Sequence, residues 1–244
     1  MEAGFVDCHS HVVPSGDDGA KTIEEGLELC DLAAAAGTAV LYATPHVWPH
    51  LPLTEERELE IRRTYERVRA RARLDLRLGF ELTPSRPLLR EDPARFALDG
   101  TEVVLVEVPF AGPEDELIEL ASHIERVGLT PLIAHPERTE AVSQRPELAH
   151  ELAQRWPLQV NASSLVGYHG REAEELAWRL LEAGDVAVVA SDGHRVARPA
   201  RLDEAYELVT ARLGEEAALP MFDGTALGFS RARPLPSRAG AQGA

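Results

Sequence analysis

The sequence is poor in cysteine and in long apolar runs. Cys8 and Cys30 are the two cysteines among 244 residues, too few for a disulfide framework, so we expect reduced thiols and a cytoplasmic protein. No run approaches 18 uninterrupted apolar residues, and no basic segment follows Met1. We therefore expect neither a membrane-spanning helix nor a classical export signal.

Positive charge is also scarce. The chain has 41 acidic against 25 basic residues, a formal net charge of −16, and a single lysine, Lys21. A surface of that sign repels phosphate backbones, so nucleic acid is not an expected partner. We interpret the lack of lysine as compositional bias rather than chemistry.

Apolar strand-like segments alternate with helical segments along most of the chain. The sequence predicts strands at 4–8, 39–43, 76–82, 103–108, 131–134, 158–161 and 186–190. It predicts helices at 22–37, 54–73, 114–127, 146–155, 170–183 and 200–213. Parallel strands joined by helices close most simply into a barrel. We therefore predict an α/β fold, a distorted seven-stranded (β/α)7 TIM-like barrel formed by one domain at 1–230, with a disordered tail at 231–244.

Residue types that bind metals follow the C-terminal ends of these strands. Reactive groups gather at that end of parallel α/β barrels, and we expect nine side chains to meet there as ligands. They are His9, His11, Asp18, His46, Glu81, Glu107, His135, Asp192 and His194. Nine ligands are too many for one ion and suit two or three. Imidazole and carboxylate without thiolate favour manganese, iron or zinc, and two neighbouring divalent ions are typical of phosphoryl hydrolysis.

The spacing of the residues supports His9 and His11 as ligands and leaves the choice between two aspartates open. A strand has a period of two residues, so His9 and His11 project from the same face and can reach one ion. Asp17-Asp18-Gly19 is a typical turn sequence, and we expect this turn to bring the chain back to the C-terminal ends of the strands. Either aspartate can then be a ligand, and we prefer Asp18, which stands next to glycine.

Two of the nine proposed ligands and two arginines have two interpretations each. Glu81 and Glu107 interrupt the apolar runs LRLGFEL and VVLVEVPF, where a carboxylate is costly to bury unless it is paired or metal-bound. Metal ligation relieves that cost, and a buried salt bridge to arginine is the alternative. Arg138 and Arg198, each a few residues past a histidine, can bind phosphate through two parallel hydrogen bonds. A surface salt bridge is the alternative for each arginine.

The motifs resemble the polymerase-and-histidinol-phosphatase (PHP) superfamily and, more narrowly, its bacterial protein-tyrosine phosphatases of capsule and exopolysaccharide biosynthesis. The resemblance covers about residues 5 to 228. Its most specific segments are DCHSHVVPSGDDG, ATPH, FELTP, VEVPF, LIAHPER, QVNASSLVG and SDGHRVARP. One departure is the segment FDGT at 222–225, which replaces a more usual asparagine-proline segment and leaves the oligomeric state open.

The resemblance implies a manganese-favouring, trinuclear phosphatase on a distorted seven-stranded barrel, the PHP fold. It implies that the nine residues named above are the metal ligands and that Arg138 and Arg198 bind phosphate. The usual substrate in the family is the phosphotyrosine-rich tail of a cognate tyrosine autokinase. We also expect that His194 or a water molecule protonates the leaving phenolate.

Together these features predict a metal-dependent phosphomonoesterase that acts on protein phosphotyrosine. Cysteine-dependent phosphatases need an arginine six residues after the nucleophile, and here Pro14 and Ala36 occupy the positions six after Cys8 and Cys30. Neither cysteine can therefore be that nucleophile. A small-molecule enzyme such as histidinol-phosphate phosphatase is the nearest alternative. A polymerase-associated exonuclease module and a non-catalytic binding protein are further alternatives.

Overall fold

Strands and helices alternate along the chain in the computed structural model, which describes residues 4–110 and 114–229. The predicted tail at 231–244 lies outside these residues. The strands are β1 (Phe5–Ser10), β2 (Thr38–Ala43), β3 (His46–Val47), β4 (Asp75–Leu78), β5 (Glu81–Leu82), β6 (Val103–Glu107), β7 (Thr130–Ala134), β8 (Leu158–Asn161) and β9 (Val186–Ala190). No helix in the described ranges is long and apolar enough to span a bilayer.

The helices lie between successive strands and after the last one. They are α1 (Ile23–Ala35), α2 (Glu55–Arg69), α3 (Asp115–Arg126), α4 (Glu140–Gln144), α5 (Glu147–Ala153), α6 (Ala162–Leu165), α7 (Arg171–Ala183), α8 (Asp203–Leu213) and α9 (Glu215–Phe222). The predicted start of α1 has a local cause, because the Thr22 side chain accepts a hydrogen bond from Glu25 N at 3.1 Å and so caps the helix.

All strand ladders are parallel, which confirms the predicted α/β class. They form two sheets, β1-β2-β4 and β3-β5-β6-β7-β8-β9. The closed seven-stranded barrel is not confirmed. No ladder joins β1 to β9 in the described part of the chain, where a single bridge pairs Ser10 with Gly193.

The strand predicted at 76–82 is in fact divided, with β4 and β5 in different sheets. The cause is the segment at Asp99, whose backbone N donates to Leu78 O at 2.8 Å and whose Oδ2 accepts from Leu78 N at 3.2 Å. This segment occupies the β4 edge, so β6 pairs with β5 and not with β4 on this side, and with β7 on its other side. Hydrogen bonds from Gly79 N to Ala43 O (2.9 Å) and from Glu81 N to Pro45 O (3.2 Å) continue the pairing across the break.

The strands bury apolar side chains on both faces. In β6, Val104 and Val106 pack in the larger core beneath the helices, whereas Val103 and Leu105 join a smaller cluster with Tyr42 on the opposite face. This division follows the two-residue period of a strand, and it explains why the strand sequences are continuous apolar runs. Glu107 ends β6 in phase with the smaller cluster, so the candidate site lies at the C-terminal end of that inner face.

Helix α1 packs tightly against the segment that follows β1. A Cβ atom added at Gly26 would lie 2.2 Å from the carbonyl oxygen of Val12, closer than any real contact. Glycine at this position therefore lets the helix backbone approach the chain immediately after His11. The candidate site and the first helix are joined through this contact.

We predict that Gly26→Ala destabilises the protein by about 1–3 kcal/mol, the usual cost of overpacking. In an ordinary exposed helix the same change stabilises by about 0.5–1 kcal/mol. Urea denaturation measures the difference. Glu28→Ala on the exposed side of α1 is the control, with an expected change within about 0.5 kcal/mol. An increase in the stability of Gly26→Ala would contradict the close contact.

Candidate metal centre

The structure brings all nine side chains predicted as ligands to one place. They form four overlapping groups, and the potential ligand atoms within each group lie within 4.8 Å of one another. The groups are His9-Glu81-His135, His9-His11-Asp192, His46-Glu81-Glu107 and His11-Asp18-His46-His194. Eight of the nine residues are buried, and Asp18 is exposed.

Glu81 is the centre of this cluster. Its Oε2 lies 3.1 Å from His9 Nε2, 3.2 Å from His11 Nε2 and 3.0 Å from His46 Nδ1. Its Oε1 lies 2.9 Å from His135 Nε2. Burial would raise the pKa of Glu81, but the surrounding imidazoles outweigh burial and hold that pKa well below its usual value.

Asp192 is the second carboxylate at the centre of the cluster. Its Oδ1 lies 3.3 Å from His9 Nε2, 3.4 Å from His11 Nε2 and 3.3 Å from His194 Nδ1. Burial opposes ionisation, yet the nearby histidines hold the pKa of Asp192 well below its usual value. The cluster therefore contains two buried negative charges, each surrounded by imidazole nitrogens.

Two of the predicted ligands have strained backbone conformations. His135 has φ +36° and Asp192 has φ +52°, and they are the non-glycine residues with positive φ within the described ranges. Such left-handed conformations cost free energy in residues with a Cβ and cluster at functional sites. Here they occur just after β7 and β9, where the chain leaves its strand to place a side chain in the cluster.

The structure distinguishes the two adjacent aspartates. Asp18 Oδ1 lies 3.2 Å from His194 Nε2 and 3.6 Å from His46 Nε2. Asp17 lies behind the cluster, where Oδ1 accepts from Gly19 N at 3.1 Å and Oδ2 accepts from His46 N at 3.1 Å. Asp18 is thus placed to bind an ion. Asp17 holds the backbone of the turn, and its Oδ2 also lies 3.5 Å from His11 Nδ1, the ring nitrogen that faces away from Glu81.

Glu107 completes the cluster on the side of His46. It is buried, and the hydroxyl of Thr83 donates to its Oε1. Burial and the charge of Glu81 raise the pKa of Glu107. No ion pair links Glu81 or Glu107 to an arginine among the residues that the structure describes, so the salt-bridge alternative has no support there.

The arrangement fits divalent cations. Glu81 Oε2 and His46 Nδ1 are buried and lie 3.0 Å apart, yet neither atom makes a hydrogen bond. His9 Nε2 and His11 Nε2 lie 3.2 Å apart. Their lone pairs repel at that distance unless one of the two nitrogens carries a hydrogen or a cation lies beside both. Cations coordinated by these atoms would satisfy lone pairs that otherwise face one another in a buried site.

Both predicted arginines approach the cluster through Asp192. Arg138 Nη1 donates to Asp192 Oδ2 at 2.6 Å, and Arg198 Nη2 lies 3.7 Å from Asp192 Oδ1 and contacts His194 Nδ1. Their side chains are 16% and 18% exposed, which is inconsistent with ordinary surface salt bridges. Arg198 Nε is buried without a hydrogen-bond partner, so one donor of this guanidinium is unpaired.

The family model for capsular polysaccharide synthesis, CpsB/CapC, matches residues 5–226. The chain belongs to this family. Relatives include the tyrosine-protein phosphatase YwqE of Bacillus subtilis, 28% identical over 226 residues, which cover 87% of this chain and 86% of YwqE. The tyrosine-protein phosphatase CpsB of Streptococcus agalactiae is 28% identical over 89% of this chain and 95% of CpsB.

Solved structures agree with this membership. The fold matches a chain from the crystal structures of YwqE from Bacillus subtilis and CpsB from Streptococcus pneumoniae, described as unique metal-dependent tyrosine phosphatases. The TM-score is 0.79 at 25% identity, over 88% of this chain and 90% of that chain. A D-hydantoinase matches with a TM-score of 0.59 at 13% identity, over 90% of this chain and 69% of that chain, which is a likeness of fold alone.

In this CpsB/CapC chain, residues outside the nine predicted ligands also hold the candidate site. Gln159 Oε1 lies 2.9 Å from His9 Nδ1, and Gln159 Nε2 donates to Asn161 Oδ1 at 2.8 Å. Asn161 Nδ2 in turn donates to Asp192 Oδ2 at 2.8 Å. The relay orients His9 and Asp192, as outer partners of metal ligands usually do. Its sequence signal was two polar residues spaced by two within the apolar strand β8.

A second unassigned residue, Asp7, fastens β1 to the end of β9. Its Oδ1 accepts from Ser191 N at 3.0 Å and from His9 N at 3.3 Å, while Oδ2 is buried without a partner. Burial raises the pKa of Asp7 to about 6. The contact fixes the two segments that carry His9 and Asp192 relative to each other.

We predict that Asp17→Ala and Asp18→Ala have different effects on the metal-free protein. Asp17→Ala leaves the buried amides of Gly19 and His46 without an acceptor, so we expect a loss of about 2–3 kcal/mol in the free energy of unfolding. Asp18 is 61% exposed, and we expect its replacement to change stability by less than about 0.5 kcal/mol. Urea denaturation with excess chelator measures both. Equal losses would contradict the assignment of Asp17 to the turn.

Proposed function

We propose that this chain is a metal-dependent phosphomonoesterase that hydrolyses protein phosphotyrosine. The observation that carries the proposal is the convergence of nine imidazole and carboxylate side chains around the buried carboxylate of Glu81. The names of its relatives YwqE and CpsB, both tyrosine-protein phosphatases, support this substrate class. We further propose that the substrate is the phosphotyrosine-bearing tail of a bacterial tyrosine autokinase that controls capsule or exopolysaccharide synthesis.

We propose that the nine residues hold two to three divalent ions, with manganese favoured over iron or zinc. The four groups of potential ligands overlap at His9, His11, His46 and Glu81, which suits neighbouring ions that share ligands. When bound, such ions stabilise phosphoryl oxygens as Lewis acids and lower the pKa of water. Asp18 lies at the solvent side of this set and would close the group that includes His46 and His194.

Arg138 and Arg198 are the proposed binding residues for the phosphoryl group. Both guanidinium groups are held near Asp192, so their charges face the cluster from fixed positions. A planar guanidinium can donate two parallel hydrogen bonds to phosphate oxygens. Donors that are already in place before the reaction stabilise the charge that develops in the transition state.

His194 is proposed as a metal ligand. The expected second role, as a proton donor to the leaving oxygen, conflicts with its low pKa, because a neutral, metal-bound imidazole has no acidic proton to give near pH 7. Burial and the charge of His11 lower the pKa of His194 to about 4, so its imidazole is neutral near pH 7 and suited to metal ligation. A tyrosine leaving group has a pKa near ~10 and needs less acid assistance than an alkoxide. Water can therefore deliver the proton in place of His194.

The architecture and location complete the proposal. We infer a distorted seven-position barrel in which β2 with β3, and β4 with β5, each occupy one position, within a single domain at 1–230. The hydrogen bonds of Gly79 and Glu81 to residues 43 and 45 support this interpretation. We propose a cytoplasmic enzyme, which agrees with two free, buried cysteines.

The test of the substrate class is a comparison of two phosphomonoesters. We expect the purified holoenzyme to hydrolyse a phosphotyrosyl peptide with a kcat/KM at least about tenfold above that for histidinol phosphate, a difference of about 1.4 kcal/mol in transition-state binding. A ratio that favours histidinol phosphate would replace the proposed function with the small-molecule alternative.

Metal dependence is the control for this comparison. Chelation should abolish hydrolysis of both substrates, and manganese should restore it.

We expect His135→Ala to lower the metal content and to reduce kcat/KM by more than about 100-fold, since replacing even a residue that only supports a ligand costs about 10- to 100-fold. His150→Ala is the matched control, because His150 is exposed and pairs with Asp185 ahead of β9, at the opposite end of that strand.

A second prediction concerns the phosphate-binding arginines. Arg198→Lys removes the planar donor while keeping the charge, and we expect kcat/KM for an aryl phosphate to fall about 10- to 100-fold, the value of one charged hydrogen bond. Inhibition by inorganic phosphate should weaken similarly. Arg195→Ala in the same turn is the control, since Arg195 pairs with Glu25 instead of the cluster. Full activity of Arg198→Lys would remove Arg198 from the mechanism.

A further inference from the structure

An apolar side chain is exposed beside the cluster. Phe110 follows β6 and Glu107, and it is 47% exposed. Six large hydrophobic residues are exposed in the described ranges, and Phe110, Tyr168 and Val196 are the three that follow strands on the side of the proposed ligands. An exposed phenyl ring costs free energy in water, so its position at the site needs a reason.

Phe110 packs directly on two residues of the site. Its ring is stacked on the imidazole of His135, with centroids 5.8 Å apart and planes at 22°. The guanidinium carbon of Arg138 lies 5.2 Å from the centre of the Phe110 ring. The backbone is fixed as well, because Glu140 N donates to Phe110 O at 3.2 Å. An exposed aromatic surface is therefore held beside both a proposed ligand and a proposed phosphate-binding residue.

Trp48 provides a comparison on the other side of Glu81. Its ring is stacked on His46, with centroids 4.2 Å apart, and His50 is stacked on Trp48 at 5.1 Å. His46 and His135 contact the two different oxygens of Glu81, so Trp48 and Phe110 flank the same carboxylate. Trp48 is already part of a three-ring stack and is partly buried, whereas Phe110 remains about half exposed.

We propose that Phe110 is a specificity-determining residue whose exposed surface receives the phenyl ring of an aryl phosphate. The inference rests on the proposed function and deepens it. In an aryl phosphate the ring is one ester oxygen away from phosphorus. A phosphoryl group bound by Arg138 therefore brings the ring to the neighbouring residue, and that residue is Phe110. Pairs of aromatic rings attract beyond the effect of buried area, so the site favours aryl over alkyl phosphomonoesters.

Phe110 could instead act only by holding Arg138 in place, and ligand binding distinguishes this role from contact with the substrate ring. If the ring serves only to hold the Arg138 guanidinium, its loss weakens every ligand with a phosphoryl head group equally. If it receives the substrate ring, its loss weakens only ligands that have a ring. Benzylphosphonate, in which a methylene replaces the ester oxygen, and methylphosphonate both carry a phosphonate head group and are not hydrolysed. They therefore separate the two roles without any influence of leaving-group chemistry.

The experiment measures binding of both phosphonates to the metal-loaded holoenzyme by calorimetry. The variants are Phe110→Ala, Phe110→Leu, which keeps an apolar side chain without a ring, and Phe110→Tyr, which keeps the ring. Val127→Ala is the control, because Val127 is also about half exposed but lies between α3 and β7, at the opposite end of the strands. Circular dichroism of each variant reports folding.

We expect Phe110→Ala and Phe110→Leu to weaken binding of benzylphosphonate roughly 3- to 10-fold, the range of one aromatic pair, and binding of methylphosphonate less than twofold. Phe110→Tyr and Val127→Ala should bind both ligands as the wild type does. In kinetics, the ratio of kcat/KM for a phosphotyrosyl peptide to that for the matched phosphoseryl peptide should fall by the same factor. Equal weakening of both phosphonates, or no weakening of either, would overturn the proposal.

Failure of the proposed function has a separate signature. If the wild-type holoenzyme binds neither phosphonate and hydrolyses neither peptide, the phosphatase proposal is wrong and the role of Phe110 is overturned with it. If the wild type binds both and hydrolyses the phosphotyrosyl peptide while Phe110→Ala leaves the phosphonate ratio unchanged, the phosphatase proposal stands and only the role of Phe110 is overturned.

Discussion

The contact between one buried carboxylate, Glu81, and four imidazoles is the constraint on which the rest of the structure depends. A carboxylate removed from water is very costly unless positive charge or hydrogen bonds surround it. The partners of Glu81 come from the ends of β1, β3 and β7, so the cost is offset only when these strands are in their correct places. The parallel sheets, the buried apolar strand faces and the strained residues His135 and Asp192 all serve to hold the partners there.

The break between β4 and β5 helps to form the candidate site. Strand β3 pairs with β5 so that His46 is opposite Glu81, and β5 in turn places Glu81 beside Leu105 of β6. If residues 76–82 formed one continuous strand, β6 would pair along the edge of β4 that the Asp99 segment now occupies. The break therefore lets two short strands with polar side chains approach the centre, where a long apolar strand would extend the core instead.

Much of the fold could be predicted because its signals are local. The apolar runs of β2, β6 and β9 and the capping residue of α1 are visible within a few neighbouring residues. The nine proposed ligands were identified in the same way, as polar side chains just past apolar runs. The two-residue strands β3 and β5 have no such pattern, since two residues are too short for a period. The Gln159–Asn161 relay was missed because nothing in the sequence of β8 says which residues it faces.

The sequence by itself determined the kinds of side chain present and their positions at the ends of strands, because secondary structure follows from nearest neighbours and their spacing. Tertiary structure alone decided which of these side chains share an oxygen, that Asp18 faces the histidines while Asp17 holds the turn, and that Phe110 lies against His135 and Arg138. Those relations join residues far apart in the chain, and they depend on strand register and on how the helices pack, which no local pattern contains.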